Sequence, residues 1–263
     1  MTEISAGDVK ALRDATGAGM MDAKRALVEV DGDFDAATQL LREKGLAKAA
    51  TRSDRQNVEG AVSIATGDGR AALVHLKCET DFSAKSEGFL SLANEMAQAV
   101  LAGGETAVEA LAPALDDLRL AVKENVELGE ARLVEASGGA SLDTYLHLQD
   151  GRGVNGVIVE GRGVDQETLH QVALHVAFAK PSVLNRDDVD LDRVATERAA
   201  LLEITKAEGK PEQAWEKIVE GRLTGWFREM VLLEQGLHGD KVKVADSLNG
   251  GTIIGFTQAY LGA

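Results

Sequence analysis

The pattern of apolar and polar positions predicts a helical N-terminal region. Over residues 1–50, apolar residues recur at spacings of three and four, which indicates three short helices. Ser5, followed by Asp8, resembles a capping box and predicts where the first helix starts. The glycine-containing residues 16–19 separate the first helix from the second. Gly45 is expected to end the third helix.

The period of the pattern changes from helical to alternating at residue 58. Apolar residues alternate with other residues over 58–64 and again over 71–78, and a glycine-rich turn lies between these stretches. This pattern predicts a β-hairpin, with Ala72, Val74, Leu76 and Cys78 on one side of its second strand. A long helix follows, and its core-facing stripe is formed by Phe89, Leu92, Ala93, Met96, Ala97 and Val100.

The hairpin-plus-helix unit occurs a second time. Asp150-Gly151-Arg152 repeats the turn seen at Asp68-Gly69-Arg70, and a helix follows with a similar stripe at Leu169, Val172, Ala173, Val176 and Ala177. Each hairpin is expected to gain a third strand, at residues 132–136 and 252–256. Because hairpins imply antiparallel sheets and the helices are segregated from the strands, the fold class is α+β.

Residues 187–234 show two helical stretches around Gly209-Lys210-Pro211, which predicts an antiparallel helical hairpin. Its second helix carries apolar residues at helical spacing, at Trp215, Val219, Leu223, Trp226, Met230 and Leu233. The polar, basic residues 48–57 lack periodicity and are typical of a linker. We therefore divide the chain into a helical module at 1–50, a linker at 51–57, core halves at 58–140 and 141–186, the hairpin at 187–234 and a return to the core with a C-terminal strand at 235–263.

Composition excludes several classes of partner. The 263 residues carry a formal net charge of −15, which argues against direct binding of nucleic acid or of an anionic membrane surface. The single cysteine, Cys78, rules out an intrachain disulfide and fits a reducing compartment. The N-terminal residues do not form a signal peptide, and no apolar run approaches the roughly 18 residues of a membrane helix. These features predict a cytoplasmic location.

The sequence predicts neither an enzyme nor a cofactor site. Residues 151–156 match the dinucleotide pattern G-x-G-x-x-G, but a strand follows where that site needs a helix, so a hairpin turn is favoured. The five histidines do not pair at metal-ligand spacing with a carboxylate. Cys78 is expected to be a buried thiol rather than a nucleophile. We therefore expect no catalytic residues, no resident metal and no cofactor.

A few residues allow two interpretations. Thr80 or Asp81 is a natural N-cap for the helix that follows the first hairpin. Phe82 lies seven residues before Phe89, so pattern alone favours core packing over an exposed contact. His175 lies off the stripe of its helix, where a hydrogen-bonded structural histidine is the default. Met20 is placed with the inward side of the second helix, but Met20 and Met21 cannot both face inward, so one of them is expected to be an exposed contact.

Four segments resemble the elongation factor Ts family. They are LRDATGAGMMDAKRALVEVDGDFDAATQLLREKG at 12–45, CETDF at 78–82, LHVAFAKP at 174–181 and GKPEQAWEKIVEGR at 209–222. They occur in the family's order and span nearly the whole chain. Members of this family are bacterial guanine-nucleotide exchange factors for the GTPase elongation factor Tu. The resemblance implies a ubiquitin-associated-like three-helix module, a two-part α+β core and an inserted helical hairpin.

The resemblance also assigns roles to particular residues. The segment that acts beside the partner's Mg²⁺ and phosphate site would be Thr80, Asp81, Phe82 and Ser83. Ser83 departs from the family's usual valine, and Gly236-Leu237 replaces the usual Pro-Phe after Gln235. The partner-binding residues would be Thr16, Gly17, Ala18, Gly19, Met20, Met21, Asp22, Lys24, His175 and Gln235.

The function implied by the resemblance is nucleotide exchange without covalent chemistry. The protein would bind elongation factor Tu carrying GDP, promote GDP release by disturbing the Mg²⁺ and phosphate site, and so allow GTP to bind. The alternative is a non-catalytic, ubiquitin-associated-like adaptor or scaffold. The Thr-Asp-Phe segment at a strand–helix junction favours the exchange factor, because an adaptor does not need it. The sequence leaves open homodimerisation through the core or the helical hairpin.

Overall fold

The N-terminal region forms three helices around a small apolar core. The structure is a computed structural model that describes residues 4–52 and 54–262. The helices are α1 (Ala6–Thr16), α2 (Met20–Glu29) and α3 (Phe34–Ala50). Ser5 and Asp8 form the predicted reciprocal capping box. The shared core consists of Val9, Leu12, Ala23, Ala26, Leu27 and Ala37.

The third helix does not end at Gly45, as predicted, but continues to Ala50. Gly45 lies where α3 packs on a later helix, and a Cβ added there would lie 2.4 Å from Cδ2 of Leu120. The glycine therefore permits a close helix contact and does not act as a stop signal. Residues 48–50, read as the start of the linker, accordingly belong to α3.

The first half of the core is a three-stranded antiparallel sheet covered by helices. Its elements are β1 (Glu59–Gly67), β2 (Arg70–Cys78), α4 (Asp81–Ala84), α5 (Glu87–Gly103), α6 (Ala112–Val122) and β3 (Val126–Glu135), with strand order β1-β2-β3. Asp68 and Gly69 both have positive φ, as a tight hairpin turn between twisted strands requires. All six predicted stripe residues of α5 are buried.

The second half repeats this arrangement, which confirms the predicted duplication. Its elements are β4 (Ala140–Gln149), β5 (Arg152–Arg162), α7 (Gln166–Ala179), α8 (Leu191–Ala207), α9 (Glu212–Met230), α10 (Val244–Ser247) and β6 (Thr252–Tyr260), with strand order β4-β5-β6. Asp150 and Gly151 form the equivalent turn with positive φ. The five predicted stripe residues of α7 are buried, and His175 is buried with them.

The two sheets pack against each other, and helices cover their outer faces. The contact between the sheets is apolar, and Gly156 on β5 lies so close to Val62 on β1 that an added Cβ would approach its Cγ1 to 2.6 Å. Outside this contact, α5 packs on the first sheet and α7 on the second. The class is α+β, as predicted. Among the described helices, none is long and apolar enough to span a bilayer.

Helices α8 and α9 form the predicted hairpin. The guanidinium of Arg222 ties them together by donating to the Glu208 carboxylate at 2.7 Å and to the Thr205 hydroxyl at 3.3 Å. The stripe of α9 differs from the prediction at three positions: Phe227 is buried where Trp226 was expected, Trp215 is half-buried, and Leu233 lies beyond the end of the helix at Met230. Trp226 is half-buried and packs edge-on against the Phe227 ring.

Candidate functional site

Phe82 projects into solvent from the short helix between the first hairpin and α5. Its side chain is 85% exposed, the highest value among the exposed large apolar side chains of the described residues. The expectation of core packing, drawn from pattern alone, is therefore wrong. The spacing to Phe89 was misleading because α4 ends at Ala84 and Ser86 caps a new helix, so the two phenyl groups do not share a helical face.

The backbone before Phe82 is fixed by a carboxylate from a distant part of the chain. Thr80 is the N-cap of α4, and its hydroxyl accepts a hydrogen bond from the Ser83 amide at 3.4 Å. Glu124, which follows α6, accepts from the backbone amides of Glu79 at 3.1 Å and Thr80 at 3.0 Å, and from the Thr80 hydroxyl at 2.5 Å. Sequence reasoning missed Glu124 because no local pattern links residues 44 positions apart.

Asp81 is held by a lysine that also reaches the second half of the core. The Lys85 ammonium donates to the Asp81 carboxylate at 2.9 Å and lies 3.1 Å from the carboxylate of Asp150, in the β4–β5 turn. The hydrogen bond from Lys85 lowers the pKa of Asp81, and the two carboxylates raise the pKa of Lys85. Asp81 is therefore an oriented anion at neutral pH, next to the exposed phenyl group.

Ser83 does not share this exposure. It is buried, and its carbonyl accepts a hydrogen bond from the Ser86 hydroxyl at 2.8 Å. Of the four residues that the family resemblance assigned to this segment, Thr80 and Phe82 are exposed and Asp81 is half-exposed. The buried Ser83 therefore belongs to the support of α4 and not to its exposed surface.

His175 and Gln235 lie 60 positions apart in sequence and hydrogen-bond to each other, with 3.0 Å between Nε2 and Oε1. The Gln235 amide group donates to the Glu229 carbonyl, which fixes its orientation, and the His238 amide donates to Nδ1 of His175 at 3.1 Å. With Nδ1 accepting, the ring is neutral and carries its proton on Nε2. Burial also favours the neutral ring, because it lowers the pKa of His175.

The expectation of a hydrogen-bonded structural histidine is thus confirmed. His175 and Gln235 are both buried, and together they hold the segment after α9 against α7. The structure brings these two predicted partner-binding residues together below the surface. Their direct contact with a partner stays a prediction.

The predicted partner-binding residues of the N-terminal module lie on the α1–α2 turn and the first turns of α2. Gly17 has a φ of 65°, and the Thr16 hydroxyl donates to the Leu12 carbonyl at 2.6 Å, so the turn is well defined. Met20 and Met21 are both exposed, at 48% and 64%, although only one was expected to be. The reason is that Ala23, Ala26 and Leu27 fill the inward face of α2.

The other members of this set are accessible to different degrees. Lys24 and Gly19 are exposed, and Ala18 is half-buried. Asp22 forms an ion pair with Arg25 on the same helix. The structure therefore gathers the predicted residues 16–24 on one region of the module, with two flexible apolar side chains at its surface.

A buried arginine joins the two halves of the core close to α4. Arg152, at the start of β5, donates to the Glu59 carboxylate at 2.7 Å and to the Gly60 carbonyl at 2.8 Å. Glu59 pairs with Cys78 at the end of β2, directly before the α4 junction. The starts of β1 and β5 and the junction therefore lie at one end of the core.

Exposed apolar side chains are concentrated at this end. Phe178 lies in the last turn of α7, and the neighbouring Ala177 carbonyl accepts a hydrogen bond from Asn155 of β5 at 2.8 Å. Exposed apolar groups near one another often mark interaction sites. The exposed apolar side chains at this end are Val58, Phe82, Leu148 and Phe178. Sequence analysis identified only Phe82 as a possible contact.

The remaining candidates for chemistry have structural explanations. Cys78 is buried, which raises the pKa of its thiol to about 12 and makes it a poor nucleophile. In the G-x-G-x-x-G match, Gly151 belongs to a hairpin turn and the following residues form β5. Within residues 4–52 and 54–262, no group of three or more His, Cys, Asp or Glu side chains is placed to hold a metal ion.

Comparison with known proteins gives a consistent result. The family described as Elongation factor TS matches residues 79–263. The chain is 44% identical to elongation factor Ts of Clavibacter michiganensis subsp. michiganensis, with all of both chains covered. It is 44% identical to elongation factor Ts of Cutibacterium acnes, over 93% of each chain. It is also 41% identical to elongation factor Ts of Mycobacterium bovis, over 94% of this chain and 93% of the relative.

Proposed function

Because this chain belongs to the elongation factor Ts family, we propose that it is a guanine-nucleotide exchange factor of translation elongation and acts on elongation factor Tu in the cytoplasm. It binds the GDP-bound GTPase, promotes GDP release and allows GTP to bind, without forming or breaking a covalent bond. The observation that carries this proposal is the exposed Phe82 on a fixed short helix beside an ionised Asp81.

In this mechanism α4 is placed beside the partner's Mg²⁺ and phosphate site. The Phe82 side chain supplies an apolar wedge, because it is exposed in the free protein and loses water contact on binding. The Asp81 carboxylate adds negative charge close to the metal, where it competes with the phosphates and disturbs Mg²⁺ coordination. Both effects weaken the hold of the GTPase on its nucleotide.

The N-terminal module holds the GTPase domain while α4 acts. Exposed methionines adapt to irregular apolar surfaces, and Met20 and Met21 are available for this purpose. The turn before them contains Gly17 and Gly19, which let a partner approach the backbone closely. The residues that bind the GTPase domain thus lie in a different part of the chain from those that disturb the nucleotide site.

Thermodynamic linkage sets the size of the effect. If the factor weakens GDP binding a thousandfold, interface contacts must supply about 4 kcal/mol. The coupling is reciprocal, so GDP must weaken the binding of the factor to the GTPase by the same ratio. An adaptor that ignores the nucleotide site is not subject to this constraint.

The test is a titration of the protein pair with GDP. The apparent dissociation constant of the complex with elongation factor Tu is measured as GDP rises, at low and at high Mg²⁺. We expect GDP to dissociate the complex, and Mg²⁺ to strengthen this effect because it favours the nucleotide-bound GTPase. A dissociation constant that stays constant up to saturating GDP would contradict exchange and favour the adaptor.

A further inference from the structure

We propose that Glu124 is a positioning residue for nucleotide exchange, acting by holding the α4 junction so that Phe82 points outward. This inference rests on the proposed function and adds to it a residue that does not itself touch the partner's nucleotide. Glu124 is not part of the Thr-Asp-Phe segment. It lies between the C-terminal end of α6 and the start of β3.

A single carboxylate satisfies three donors of the junction. The backbone amides of Glu79 and Thr80 both point at Oε2 of Glu124, and the Thr80 hydroxyl donates to Oε1. Successive backbone amides that converge on one anion form a strong, directional cradle. The Thr80 hydroxyl donates its hydrogen bond to Glu124, so its oxygen is oriented to accept a hydrogen bond from the Ser83 amide and to cap α4.

The orientation of Phe82 depends on this cradle because the cradle fixes the residues directly before α4. Helix α4 has four residues, too few for a stable helix on their own. The phenyl group is 85% exposed, so core packing does not fix its direction. The start of α4 is held by Glu124, by the Thr80 cap that it orients and by the Lys85 ion pair with Asp81. The Cys78 thiol also donates to the Thr80 carbonyl at 3.2 Å, and the end of α4 is anchored by the buried Ser83 and Ala84.

Glu124 is in turn held from both sides. The preceding residue, Lys123, ends α6 with a left-handed conformation and donates its amide to the Arg119 carbonyl. The following residue, Asn125, donates its backbone amide to the Glu79 carboxylate at 2.7 Å and its side-chain amide to the Arg55 carbonyl at 3.1 Å. Residues 79–80 and 124–125 therefore bind each other reciprocally, and a pre-ordered contact loses less conformational entropy on binding.

The test compares Glu124 variants in release of fluorescent GDP from elongation factor Tu over a range of factor concentrations. For E124A we expect the maximal rate to fall about tenfold, equivalent to about 1.4 kcal/mol. We expect the half-saturating concentration of the factor to change less than about twofold, because the lost support of α4 affects the exchange step more than binding of the partner. E124Q should restore most of the rate, since its carbonyl can accept the two amides and its amino group can donate to the Thr80 oxygen.

Controls separate positioning from a general effect on folding. Glu127 is exposed on β3, three residues after Glu124, where it pairs with Lys77 of β2, so E127A should exchange like the parent protein. Rates are normalised to folded protein, measured by circular dichroism. If E124A does not fold, E124D takes its place, because it keeps the charge but shortens the side chain and should also lower the maximal rate.

A double-mutant cycle with F82A decides the proposal. If Glu124 acts through Phe82, the Glu124 substitution should lower the rate less than about twofold further in the F82A background. Independent, multiplicative losses would overturn the proposal, and so would an unchanged maximal rate in the single variant. If the parent protein does not accelerate GDP release from elongation factor Tu, the proposed function fails and this inference fails with it. That outcome is distinct from the other two.

Discussion

Two phenylalanines seven positions apart have opposite environments in this protein. Phe82 is exposed on α4, whereas Phe89 is fully buried on the core-facing side of α5. We predict that Phe82→Ala lowers the GDP-release rate at least tenfold but changes the free energy of unfolding by no more than about 0.5 kcal/mol. The matched Phe89→Ala should lose about 3–5 kcal/mol of stability, because it leaves a cavity in the core.

Urea unfolding and fluorescent GDP release measure the two effects separately. A Phe82→Ala protein that is clearly destabilised, yet exchanges normally once corrected for its folded fraction, would assign Phe82 a structural role. The comparison with Phe89→Ala shows whether the stability assay can detect the loss of a buried phenyl group in this fold.

His75 predicts a pH dependence of stability. It is buried on β2, burial lowers its pKa to about 4, and within the described part of the chain its Nε2 has no hydrogen-bond partner. In the unfolded chain its pKa is near 6.5, so between these values only the unfolded state gains a proton. Stability should therefore fall as pH decreases from 6.5 to 4, by about 3 kcal/mol from this residue, and its contribution should level off below pH 4.

The measurement is the free energy of unfolding from pH 7 to pH 4 in the parent protein and in His75→Leu. Carboxylates and the buried His175 titrate in both proteins, so the difference between the curves isolates His75. Parallel curves would show that His75 is protonated equally in the folded and unfolded states.

At the scale of elements, the sequence predicted most helices and strands because their signals are local. The stripes of α5 and α7 follow from helical spacing, and both hairpin turns follow from Asp-Gly pairs that tolerate positive φ. The Thr80 cap and the Thr-Asp-Phe segment were also visible in the sequence. These signals act over three or four residues and do not depend on the rest of the fold.

The failures have a common physical cause, which is contact between distant segments. Gly45 looked like a helix stop because its packing against Leu120 was invisible in the sequence. The direction of Phe82 was misjudged because Ser86 starts a new helix, and the long-range hydrogen bonds of Glu124 set the start of α4. The pairing of His175 with Gln235 could not be derived from spacing either.

The break between α4 and α5 makes a separate prediction. Ser86 is the N-cap of α5 and accepts the Phe89 amide at 3.4 Å. Ser86→Ala should therefore lower the stability by about 1 kcal/mol. Ser91→Ala is the matched control, since Ser91 is exposed inside α5 and alanine is the better helix former there. Thermal unfolding of both variants tests this, and equal midpoints would show that the cap does not stabilise the break.

At the scale of the molecule, the N-terminal module should be separable from the core. Helix α3 touches α6 through the Gly45–Leu120 contact and an Arg42–Asp117 ion pair of 2.6 Å, and an exposed pair of this kind contributes little. We predict that removing residues 1–50 leaves a folded core that binds elongation factor Tu at least tenfold more weakly. A binding titration with the shortened protein measures this, and an unchanged dissociation constant would refute the module's role.

The position of α9 decides what optical probes can report. Both tryptophans of the chain, Trp215 and Trp226, lie on this one helix, whereas Tyr145 and Tyr260 lie on the second sheet. Tryptophan emission, excited at a wavelength that tyrosine does not absorb, therefore reports on the hairpin and not on the sheets or on α4. We expect emission to change little when the partner binds around Phe82. If the hairpin melts before the sheets, the emission midpoint should precede the far-ultraviolet circular dichroism midpoint, whereas coincident midpoints would show that the whole chain unfolds as a single cooperative unit.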